Sequence, residues 1–97
     1  MTGVHQRYAT LQAARRGDRK AFDIIWQDFR EPLCAIVRRT LPEAHNLAKE
    51  RQVLEVMGDV HDRSFEELQH KPSNWSTYGW LSWIAHRESM RRAEQAV

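Results

Sequence analysis

The chain has 97 residues, enough for one domain and too few for two, and a domain of this size rests its stability on a few large side chains. Glycine and proline are scarce (Gly 4, Pro 3) and Ala, Leu, Arg, Glu and Gln abound, which favours helix and argues against disorder. The formal net charge is only +2, and no alternating β-branched run is long enough to suggest a sheet, so an all-α fold is expected.

In chain order, the amino terminus Met1-Thr2-Gly3-Val4-His5 has no apolar signal-peptide core, and no later apolar run could span a membrane. A cytoplasmic protein with no membrane partner is therefore expected. The first helical pattern runs from about Gln6 to Arg16, with Tyr8, Leu11 and Ala14 or Arg15 on one side. Gly17-Asp18 ends it, because glycine suits a helix C-terminus and aspartate caps the next helix. From Asp18 onward, Phe22, Ile25, Trp26 and Phe29 recur at i, i+3, i+4 and i+7, a core stripe. Pro32 is foreign to a helix interior and suited to a first turn, which predicts a break at Arg30-Glu31 and a new helix from Pro32 to about Thr40. Leu33, Ile36, Val37 and Thr40 or Leu41 face inward there. The single cysteine, Cys34, lies in this apolar run, cannot form an internal disulfide, and reads as a small core residue.

From Pro42 to about Gln69 the pattern predicts one long helix. Leu47, Leu54, Met57, His61, Phe65 and Leu68 form one stripe, with Val53, Val56, Val60 and Ser64 beside it, wide enough to pack two neighbours. Gly58 marks a bend or a close helix contact. This helix also carries the negative charge. Glu43 to Glu67 holds seven acids and three bases, a net −4, while the rest holds twelve bases and six acids, a net +6. Two partner surfaces of opposite sign, or two solvated faces, fit this split equally. A loop, Lys71 to Thr77, follows, and Ser76 or Thr77 caps a last helix reaching about Glu94 through Trp80, Leu81, Ile84 and Ala85. The expected product is one domain over residues 1–97, a bundle of four to five helices. Phe22, Trp26, Leu33, Ile36, Leu54, Phe65, Leu81 and Ile84 form its core.

Catalytic signatures are few. The five histidines are scattered. Glu66 and His70, four apart on one helix face, supply two metal ligands with no evident third or fourth. Asp59, His61 and Asp62 diverge around their helix. No phosphate loop, nucleophile elbow or paired carboxylates stand out, so no enzyme, metal or cofactor is expected. The informative segment is Trp75 to Arg92. Four of the nine aromatics fall in nine residues (Trp75, Tyr78, Trp80, Trp83), and Arg87, Arg91 and Arg92 follow. With Trp80 and Ile84 facing the core, Trp83, Arg87 and Arg91 line a different face at four-residue intervals. Rings that stack on unpaired bases beside guanidinium groups that hold phosphates suit a single strand. Four aromatic plugs of a small core, with solvated arginines, account for the same residues.

Three stretches, in this order and spacing, resemble region 2 of the extracytoplasmic-function class of bacterial sigma factors. Ala14-Arg15-Arg16-Gly17-Asp18-Arg19-Lys20-Ala21-Phe22 is similar to the opening "GDxxAF" signature. Trp26-Gln27-Asp28-Phe29-Arg30-Glu31-Pro32-Leu33 resembles the aromatic-x-Pro-x-Leu segment after it, and Trp80-Leu81-Ser82-Trp83-Ile84-Ala85-His86-Arg87 the "WLxxIA" signature that begins the −10 reading helix. Between them, Asp59 to Leu68 is similar to the acidic segment that docks on the polymerase clamp. Departures are Asp62-Arg63, where the family usually shows Gln followed by an acid, and Arg87 and Arg91, where it often has Asn and Asp. A register one residue earlier puts His61-Asp62 at the first of these pairs. Within residues 1–97 no second, −35 reading helix-turn-helix domain is expected.

The resemblance implies a sigma factor domain that binds core RNA polymerase, recognises and melts the promoter −10 element, and meets an anti-sigma factor. Asp59, Asp62, Arg63 and Glu66 would bind the clamp coiled coil. The loop from His70 to Thr77 would receive an unstacked base of the non-template strand. Trp75, Tyr78 and Trp83 would wedge or stack, and His86, Arg87, Arg91 and Arg92 would contact phosphates and base edges. The alternative is a helical protein–protein adaptor that binds a basic partner through its acidic helix, without DNA. Exposure of Trp75 and Trp83 beside the arginines favours the first reading, and their burial the second.

Overall fold

The computed structural model describes the backbone of residues 4–43 and 46–95 and the side chains of residues 8–43 and 47–95. Four α-helices account for most of these residues: α1 (Val4–Arg15), α2 (Arg19–Thr40), α3 (Asn46–Glu67) and α4 (Thr77–Gln95), with a 3-10 turn at Leu68–His70. No strand occurs among the described residues, and the fold is the small all-α bundle that composition and periodicity suggest.

The α1–α2 corner follows from two residues. Gly17 takes φ +101°, the left-handed region, which glycine enters without a Cβ penalty. There its N–H reaches the carbonyl of Ala14 (3.0 Å) and the N–H of Asp18 that of Ala13 (3.0 Å), the Schellman pattern of helix closure. Asp18 then starts α2, its carboxylate accepting from the N–H of Ala21 at 3.1 Å.

Two expectations are corrected in α2 and α3. The break at Arg30-Glu31 is absent, and α2 runs unbroken with Pro32 inside it. The missing donor would have met the carbonyl of Asp28, on an exposed turn where water can take its place. On either side, Phe22, Trp26, Leu33 and Val37 are buried. At about 1.5–3 kcal/mol for each large side chain, their burial outweighs the cost of one proline, about 3 kcal/mol. The second correction concerns α3, which begins at Asn46 rather than Pro42, ends at Glu67, and buries the valine side of the expected stripe but not its leucine flank. Val53, Val56, Met57, Val60, Ser64 and Leu68 are buried, whereas Leu47 and Leu54 are 85% and 64% exposed. Both leucines share a flank with His61 and Phe65. Only the C-terminal half of that flank is covered, where Phe22 of α2 meets His61 and Phe65 at 5.2 and 5.4 Å between ring centroids. Gly58 makes no close helix contact, since a Cβ there would have no neighbour within 4 Å, and α3 continues through it.

The rest of the core is as the stripes require. Phe22, Leu33, Val37, Leu81 and Ile84 are fully enclosed, with Trp26, Trp80 and Ala85 nearly so, and Ile36, Phe65 and Cys34 pack against them half-buried. Tyr8, on the expected side of α1, is exposed. The α2–α3 connection is tied by Lys49, whose buried ammonium donates to the carbonyls of Leu41 (2.8 Å) and Pro42 (3.0 Å).

Candidate nucleic-acid interface

The loop between the 3-10 turn and α4 is set by Ser76. Its Oγ accepts from the N–H of Gly79 at 2.9 Å, capping α4. A Cβ on residue 79 would lie 2.9 Å from that oxygen, so glycine there lets the cap close. This start fixes the rotation of α4, which sends Trp80, Leu81, Ile84 and Ala85 into the core and leaves Trp83 and His86 outside.

Trp75 and Trp83 are 40% and 46% exposed. Their rings meet edge to face, centroids 5.9 Å apart and planes at 82°, an arrangement that the aromatic quadrupole favours. Arg87 extends the strip, with its guanidinium 5.1 Å from the centre of the Trp83 ring. Arg91 is exposed one turn further on. Tyr78, 41% exposed, leans instead on Phe29 of α2 with centroids 5.7 Å apart. Of the candidate DNA contacts, Trp75, Trp83, Arg87 and Arg91 therefore form one strip, with His86 beside it and Tyr78 outside it.

All three arginines already have acidic partners, Arg87 and Arg92 the closer ones. Arg87 donates to both carboxylate oxygens of Glu67, at 3.0 and 2.6 Å, and through Nε to Glu88 at 2.9 Å. The hydrogen bonds that Arg87 donates to Glu67 are the largest influence raising its guanidinium above the usual arginine range, and burial only partly opposes it. Reciprocally, the hydrogen bond from Arg87 holds Glu67 below the ordinary glutamate range. Arg92 pairs with Glu55 of α3, away from the tryptophans. Arg91 is freer, 3.6 Å from Glu88 across one turn.

The acidic helix is less uniformly acidic than its composition suggests. Glu50 pairs with Arg38 of α2, while Glu55 and Glu67 pair with Arg92 and Arg87 of α4. Among the described residues, the acids of α3 with no arginine partner on another helix are Asp59, Asp62 and Glu66, spaced i, i+3 and i+7 along one exposed face. Arg63 sits among them, 3.7 Å from Glu66. Asp62 is held from behind by His61, whose Nδ1 lies 3.1 Å from its carboxylate while Nε2 lies 2.9 Å from Asp23 of α2. The four candidate polymerase contacts thus form one patch, and it abuts the tryptophan strip at the Glu67–Arg87 pair.

Sequence spacing missed Glu67, Glu88 and Asp23. The partners of Glu67 and Asp23 are 20 and 38 residues away, beyond any local pattern. Glu88 was detectable as an acid on the core face of α4, where it is 5% exposed. No group of three potential metal ligands converges among the described residues, and Glu66 and His70 gain no third partner. No helix among them is long and apolar enough to cross a membrane. Comparison with family models, curated proteins and solved structures gives no match to this chain.

Proposed function

We propose that the chain is a sigma factor domain that binds core RNA polymerase and captures the opened −10 element of a promoter. The observation that carries this reading is the exposed Trp75–Trp83 pair continued by Arg87 and Arg91. Solvent-facing indoles gain little in water, and a small core has no need of them outside it. Stacked against unpaired bases, with guanidinium groups on the phosphates, they have a use. The separate patch of Asp59, Asp62, Arg63 and Glu66 supports a second, basic partner, which the sigma reading identifies as the clamp coiled coil. No catalysis is required, because the energy of strand opening is drawn from binding the open strand. A cytoplasmic location and control by an anti-sigma factor belong to the same reading.

The test is binding of labelled single-stranded and duplex −10 DNA to the domain in the presence of core polymerase. The single strand should be preferred, and an Arg87→Ala, Arg91→Ala double variant should lose that preference. Equal binding by parent and double variant would remove the strip as a DNA reader. The adaptor reading would then lead. It has one observation of its own: Arg87 and Arg92 are engaged by Glu67 and Glu55 within the chain, as braces between α3 and α4 would be.

A further inference from the structure

We propose that Glu67 is a built-in competitor for the nucleic-acid face, occupying Arg87 in the free protein and giving way to a strand phosphate. The inference rests on the proposed nucleic-acid reading and adds a regulating residue to it. Both oxygens of Glu67 engage both terminal nitrogens of Arg87, the fork-to-fork contact that an arginine makes with a phosphate. One guanidinium edge cannot serve both anions, so phosphate binding at Arg87 requires the Glu67 contact to open. Glu67 sits at the last residue of α3 with its side chain 36% exposed, and the 3-10 turn follows it at once. A carboxylate so placed can swing into water without disturbing the core. The second acid, Glu88, is 4% exposed and holds Arg87 through Nε alone, so it keeps the arginine over Trp83 when Glu67 leaves. The two glutamates thus divide their roles, Glu88 positioning the arginine and Glu67 masking it.

The mask favours single strands stacked on Trp75 and Trp83 over stray phosphate contact. A polyanion that gains only charge interactions must displace Glu67 with those alone, while a strand that also stacks has additional binding energy. The chain is compared with Glu67→Gln, Arg87→Ala and the double variant, by anisotropy of a labelled mixed-sequence single strand across a salt series. Helical circular dichroism and melting confirm that each variant folds. Glu67→Gln is expected to bind about twofold to fivefold more tightly, the range that an ion pair at a partly exposed site represents. The gain should vanish in the Arg87→Ala background. An equal gain there would mean a general charge effect, and no gain in the parent background would mean a simple brace; either overturns the mask while leaving the nucleic-acid reading intact. Absence of binding by both the parent and Glu67→Gln at low salt overturns the nucleic-acid reading, and the mask with it.

Discussion

Trp80 and Trp83 are three residues apart on one helix, yet one is 3% exposed and the other 46%. Their separation follows from the rotation of α4, which the Ser76 cap and the buried Leu81 and Ile84 fix. Each group in the strip should carry its own experimental signature. Trp83→Ala is expected to lower single-strand affinity by about 1–3 kcal/mol for the base lost, with the salt dependence unchanged. Arg91→Ala should instead reduce the slope of log affinity against log salt by about 0.7, because a phosphate contact releases counterions. A Trp83→Ala variant that changed the slope, or an Arg91→Ala variant that did not, would contradict this division of roles. At this scale the sequence was informative where a residue's role is set by its own helix. Trp83, Arg87 and Arg91 share a side by spacing alone. That Arg87 is held by Glu67 depends on how α3 meets α4, which spacing within either helix does not contain.

Within elements, hydrophobic periodicity located all four helices but misjudged two details of packing. Leu54 fits the apolar stripe of α3 as well as Met57 does, and only the crossing of α2 over the C-terminal half leaves it exposed. Pro32 has the sequence character of a helix start, and burial on both sides of it overrides that local preference. Gly58 lies inside α3 with open space where a Cβ would be, so it carries the propensity cost of glycine without a packing benefit. Gly58→Ala should raise stability by about 1 kcal/mol, read as a higher Tm. The exposed patch on the same helix makes a functional prediction. Charge reversal at Asp59, Asp62 and Glu66 should weaken capture of core polymerase while leaving helical circular dichroism intact. Unchanged capture would remove the patch from the interface.

At the scale of the whole molecule, a pattern of ion pairs that no single helix reveals links the helices around the apolar core. Three glutamates of α3, Glu50, Glu55 and Glu67, pair with arginines of α2 and α4 and so tie the acidic helix to both basic neighbours. For Glu50 and Glu67 the hydrogen bond from the arginine is the main reason that the carboxyl is held below its ordinary range. The unfolded chain, lacking these partners, takes up protons on those carboxyls more readily than the folded one. Stability from the two groups is therefore complete above the ordinary glutamate range and declines as pH falls through their lowered folded values. Melting temperature should stay level from neutral pH to about 5 and then drop towards about pH 2. A Glu50→Gln, Glu67→Gln variant should start from a lower Tm at neutral pH and show a shallower acid decline, because two of the groups that drive it no longer titrate. Thermal melts of both proteins across that pH range provide the check. If the acid branches of parent and variant coincide, Glu50 and Glu67 do not contribute to holding α3 against its neighbours, and the bundle depends on the apolar contacts of Phe22, Val60, Leu81 and Ile84 instead.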